Sequence, residues 1–169
     1  MKRVKLINDP AELVSLFRAV DSKDRREVMT LLSEGWTMIS ELVSKFGESA
    51  MDCITYFEKF KLVESRWEVN SDSGRPEKAY RTFYNAFQIS TSLTFEETQD
   101  LLTVVLMSEK EFGKLENKIV KMIGSEGVFA NDVSRKLEIS SLTLKGLVKR
   151  TVKFDFKGHN LVPLKEEEQ

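Results

Sequence analysis

The chain has 169 residues, 41% of them hydrophobic and 31% charged, which excludes a disordered tract or a fibrous repeat and leaves room for one ordinary domain or two small ones. Its 26 lysines and arginines stand against 27 acids, a net charge of −1, so bulk charge alone does not hold nucleic acid and the distribution of charge must carry any such argument. One cysteine, Cys53, and one histidine, His159, exclude an internal disulfide and a Cys/His zinc site. The basic N-terminus lacks the apolar stretch of a signal peptide and no later segment approaches a membrane span, so a cytoplasmic protein is expected.

Asp9-Pro10 opens a first helix, with Leu13, Leu16, Phe17 and Val20 at helical spacing and an end near Asp21. Ser22 caps a second, whose inner face is Val28, Met29, Leu31 and Leu32 and which Gly35 stops. A third covers about Ile39 to Phe46. After the Gly47-Glu48 break, Ser49 and Asp52 form a capping-box-like pair that opens a fourth helix, reaching about Lys61. The period then changes: Val63, Ser65, Trp67 and Val69 alternate with Glu64, Arg66 and Glu68, as in a strand. Residues 71–78 are dense in turn formers and residues 79–84 resume a strand, so the segment reads as a β-hairpin with a basic tip. Helices followed by such a hairpin are the element order of a winged helix.

The run Gly74-Arg75-Pro76-Glu77-Lys78-Ala79-Tyr80-Arg81 resembles the G-R-P-x-K-x-Y-x wing of ArsR-like and related archaeal winged-helix transcription regulators, over roughly residues 10–90. The resemblance implies a winged helix-turn-helix that meets double-stranded DNA and regulates transcription as a homodimer. The family's metal sensors carry paired cysteines on the recognition helix; this chain has only Cys53 there, so no metal and no other cofactor is expected.

An internal repeat extends the pattern. Leu31-Leu32-Ser33-Glu34-Gly35 lies against Met122-Ile123-Gly124-Ser125-Glu126-Gly127 with a one-residue gap, and residues 39–46 match residues 130–137. A further helix from Ser141 to about Arg150, a strand over 152–156, a turn at 157–160 and a strand over 161–164 make a second, shorter wing. Between the copies, Thr94-Phe95-Glu96-Glu97 is a capping box before a long helical stretch. There Leu101, Val105, Ser108, Phe112, Leu115, Ile119 and Met122 are spaced alternately by four and three, the pattern of a two-helix dimer seam. The alternative is that Ser108 and Glu111 cap a separate helix, with the same residues buried inside one chain.

The expected fold is therefore mainly α with small β-hairpin wings, an α+β class. Its expected parts are a winged helix-turn-helix over 1–90, a connecting or dimerisation helix over 91–112, a second winged unit over 113–165 and an acidic tail over 166–169. No enzyme is expected: His159 sits in a turn without an implied nucleophile, and Glu96 and Glu97 are explained by a helix's first turn. Candidate DNA contacts are Ser49, Thr55, Tyr56 and Lys59 on the first recognition helix, where Asp52 and Glu58 oppose phosphate, and Arg75, Lys78 and Arg81 on the wing. Lys145, Lys149 and Arg150 add a basic stripe in the second unit. Trp36, Trp67, Tyr80, Phe83 and Phe87 are expected to pack in core and wing. The competing reading is a tandem winged-helix module that docks proteins, favoured by the near-zero net charge.

Overall fold

The computed structural model describes residues 2–165; the acidic tail expected at 166–169 lies outside the described residues. The chain divides into two compact units, one formed by residues up to Asn8 with Leu16–Ser90, the other by Asp9–Ser15 with the chain from Thr91 onward.

The first unit contains β1 (Val4–Ile7), α2 (Lys23–Glu34), β2 (Thr37–Met38), α3 (Ile39–Phe46), α4 (Glu48–Lys59), β3 (Val63–Val69), β4 (Pro76–Thr82) and β5 (Ala86–Ile89). The helix α1 (Glu12–Arg18) precedes α2, and its entry is fixed by the Asp9 carboxylate accepting the Ala11 N–H. Ser22 accepts the Arg25 N–H and so caps α2 as expected. The helices enclose a core of Val28, Leu32, Leu42, Ala50, Ile54 and Phe57. In the antiparallel sheet β4 lies between β2 and β3, with Met38 opposite Ala79 and Val63 opposite Thr82. Two findings differ from the sequence reading. The proposed Ser49/Asp52 capping pair does not form: α4 starts from Gly47, and the Ser49 hydroxyl donates instead to Asp24. A parallel ribbon of β1 and β5, which the sequence did not announce, runs with Val4 opposite Ala86 and Ile7 opposite Ile89.

The second unit contains α5 (Phe95–Leu106), α6 (Glu109–Ile123), β6 (Val128–Phe129), α7 (Ala130–Leu137), α8 (Ser141–Val148), β7 (Phe154–Lys157) and β8 (Asn160–Pro163). Its sheet has the order β6-β8-β7, the same arrangement as β2-β4-β3. The repeat read from the sequence is thus a structural repeat, and α3 and α7 occupy the aligned eight-residue segments.

The connecting stretch is two helices rather than one long one. Thr94 with Glu97 and Ser108 with Glu111 each form a full capping box, so the backbone donors at the second start are satisfied by side chains instead of a preceding turn. The expected seam is divided accordingly. Leu101, Phe112 and Ile119 are buried in the single chain, and Val105, Leu115 and Met122 are half-buried. What α5 exposes is a different stripe: Phe95, Leu102 and Leu106, which are 98%, 47% and 76% accessible. Their spacing of seven and four places them on one helix face.

Candidate nucleic-acid interface

The β3–β4 hairpin is a built turn. The Asn70 side-chain oxygen accepts the N–H groups of Asp72 and Ser73 at 2.8 and 3.0 Å, and the Gly74 N–H donates to the Asn70 carbonyl at 2.8 Å. Gly74 adopts φ 67°, where a side chain is disfavoured. The Asn70 amide donates to Glu77 at 2.7 Å, and Ser40 at the start of α3 donates to the same carboxylate oxygen at 2.7 Å. These hydrogen bonds from Ser40 and Asn70 hold the Glu77 carboxyl below its ordinary range. The loop is thereby fastened to α3, and Arg75 at its end is exposed. Sequence reasoning passed over Asn70, although an Asn before a Ser/Asp/Gly run is an Asx-turn signal.

The other wing cations are less free. Arg81 is half-exposed and donates from Nε to Glu64 at 2.6 Å, while Arg3 reaches the same oxygen at 2.8 Å. Burial raises the Glu64 carboxyl, but the hydrogen bonds from Arg81 and Arg3 outweigh it and hold the group low. Arg66 and Arg81 also lie 4.1 and 4.5 Å from the Trp36 ring centre. Lys78 is half-buried, directly across from Trp67. Trp67 itself is 69% exposed, against the expectation that it packs. Tyr80 is buried as expected, and Phe83 and Phe87 are 36% and 39% accessible.

On α4, Thr55 is exposed and Lys59 half-buried with its ammonium 4.8 Å from the Phe60 ring centre. Glu48, Asp52 and Glu58 are exposed on the same helix. Tyr56 is interior, 2% accessible, its ring 4.6 Å from Phe60 and under the Arg25 guanidinium. The sequence reading named it a candidate DNA contact; its side chain packs in the core and offers no groove contact. Ser49 is half-buried and engaged by Asp24. Cys53 is buried, and that burial raises its thiol pKa.

In the second unit Arg150 is also interior, 4% accessible, and donates to the carbonyls of Val104 and Met107 at 2.7 Å and to Glu109 at 3.0 Å. It closes the carboxyl end of α5, where a cation meets the helix dipole, and is not a phosphate contact. Lys153 is paired with Glu116 at 2.8 Å. Lys145 is exposed and Lys149 half-buried. Lys145 borders a surface hollow of about 450 Å³ that Asp9, Glu96, Glu97 and Asp100 also line, so its surroundings are more acidic than its sequence neighbours imply.

Among the described residues no helix is long and apolar enough to cross a membrane, and no three His, Cys, Asp or Glu side chains are grouped to hold a metal ion. No curated protein matches the chain. A family model described as ArsR transcriptional regulator matches residues 7–165, through both units rather than the first alone. With that match over nearly the whole length, laid on a doubled helix-and-hairpin architecture, the chain belongs to the ArsR family of transcriptional regulators.

Proposed function

We propose that the chain regulates transcription as a non-catalytic homodimer that holds double-stranded DNA chiefly through the β3–β4 wing, with Arg75 on the backbone or in the minor groove and Lys78 and Arg81 behind it. The observation that carries this is the fastened turn: Asn70 satisfies the loop from inside and Gly74 bends it, so Arg75 is presented at little conformational cost. Thr55 and Lys59 of α4 supply the major-groove contacts, and Lys145 and Lys149 act as secondary phosphate contacts. The half-buried Arg81 contributes field rather than a direct bond, because Glu64 engages it.

The exposed acids of α4, Glu48, Asp52 and Glu58, favour a second reading in which the first unit docks a protein. A salt-series titration of duplex DNA separates the two. Arg75→Ala should weaken binding to every sequence and lower the salt slope by about one, whereas Thr55→Ala should cost roughly 1–3 kcal/mol on the cognate site alone. No binding of the wild-type chain to any duplex at low salt would leave the protein-docking module as the account, and unchanged affinity in Arg75→Ala and in the Lys145→Ala/Lys149→Ala pair would overturn the contacts assigned here.

A further inference from the structure

Alternation along the hairpin sorts its side chains onto two faces. On one, Glu64 pairs across the ladder with Arg81 and Glu68 lies opposite Glu77. Those carboxylates are engaged: Glu64 by Arg3 and Arg81, Glu68 by Arg66, Glu77 by Ser40 and Asn70. The other face, toward the tip, holds Trp67 opposite Lys78 and Val69 opposite Pro76, with no acid in the ladder. Trp67 and Val69 are 69% and 66% exposed, although a tryptophan is seldom left so open to water.

Resting on the DNA-binding reading above, we propose that Trp67 and Val69 form an apolar wedge that enters the minor groove beside Arg75 and packs against deoxyribose or an opened base step, with Lys78 on the adjacent phosphate. The occupant follows from charge and size. The face is apolar and flanked by cations, and two side chains are far fewer than the roughly 20–30 residues that each partner brings to a protein interface. A hairpin edge, by contrast, suits a groove about 6 Å wide. Minor-groove binders combine arginine or lysine with such apolar wedges, and unstacking is easiest at TA and CA steps. Asp72 in the turn opposes Arg75 and limits the Coulombic gain at the tip, which leaves more of the binding to the apolar ridge.

The test uses the intact chain with Trp36→Phe, so that of the two tryptophans only Trp67 reports. A random-sequence duplex pool is titrated at low salt while anisotropy follows binding and acrylamide quenching follows the indole. The wedge requires that the indole become shielded and its emission shift to the blue along the binding curve. It also requires that Trp67→Ala weaken binding about tenfold with the salt slope unchanged, since the lost contact is apolar. DNA bound at full affinity with Trp67 as open to acrylamide as before overturns the wedge and leaves DNA binding standing. No DNA bound removes both readings. Shielding that appears without DNA and grows with protein concentration assigns the ridge to a second copy and overturns the wedge. Should Trp36→Phe not fold, fluorine NMR of the fluorotryptophan-labelled wild-type chain follows the same shielding of Trp67 and separates the same outcomes.

Discussion

Arg150 shows how a residue that reads as a surface cation becomes structural. Its guanidinium takes two carbonyls at the end of α5 and one carboxylate at the start of α6, and so holds the break between the helices. Arg150→Ala leaves those carbonyls buried without their donor, and we expect a loss of about 2–3 kcal/mol in urea unfolding with DNA affinity of the folded protein unchanged. Glu64 gives a pH test. Its carboxyl is held low in the folded state, so the stability it adds is complete above the unfolded carboxylate range of about 4.3 and fades as pH falls through the lower folded value. The pair is partly exposed, which keeps the effect to about 1 kcal/mol or less. Unfolding of Glu64→Gln should therefore match wild type at strongly acid pH and fall below it near neutrality, and a constant difference across that range would contradict the assignment. At this scale the sequence told residue chemistry but not its side: nothing in the one-dimensional pattern separates Lys145, which is exposed, from Arg150, which is not.

Elements were more legible, wherever their causes are local. The bounds of α3 and α7, the Ser22 cap and both hairpins follow from periodicity, cap residues and turn formers within a few positions. The β1–β5 ribbon was invisible because it pairs segments some eighty residues apart in parallel, a contact with no short-range signature. One difference between the aligned repeats is testable. Where α3 ends on Gly47, α7 ends on Glu138, held left-handed at φ 54°. Glu138→Gly removes the Cβ penalty of that conformation, offset in part by a freer unfolded chain, and should raise stability by roughly 0.5–1 kcal/mol in denaturant unfolding. A loss instead would mean that the Glu138 side chain contributes a contact larger than the strain.

For the whole molecule, the charge balance near zero was informative in what it withheld: the cations on which the proposed DNA contact rests are those the fold leaves exposed, such as Arg75, and these cannot be counted from composition. The expected seam residues were ambiguous for a related reason. A heptad pattern identifies residues that want to be buried without saying whether the partner is another chain, and here Leu101, Phe112 and Ile119 are buried within the single chain. For the homodimer proposed above, the surface we expect to pair is Phe95, Leu102 and Leu106, a stripe of exposed apolar surface on α5. Leu106→Asp, at an open position, should yield a folded monomer in sedimentation, whereas Ile119→Asp should unfold the second unit. A dimer that survives Leu106→Asp with Leu102→Asp would place the interface elsewhere.

The two three-stranded sheets also have a practical consequence. In each, the middle strand meets a two-residue strand on one side and its hairpin partner on the other, with Thr37–Met38 against Tyr80–Ala79 and Val128–Phe129 against Leu161–Asn160. The hairpins differ mainly in length, seven residues per strand against four, or about 23 Å of reach against about 13 Å. Both are hairpins whose second strand pairs with a two-residue strand in the same order, which makes an exchange a direct experiment. Transplanting residues 63–82 in place of 154–163 gives the C-terminal copy a long arm, and duplex affinity measured before and after the exchange then reads what that arm confers, independent of the helices that carry it.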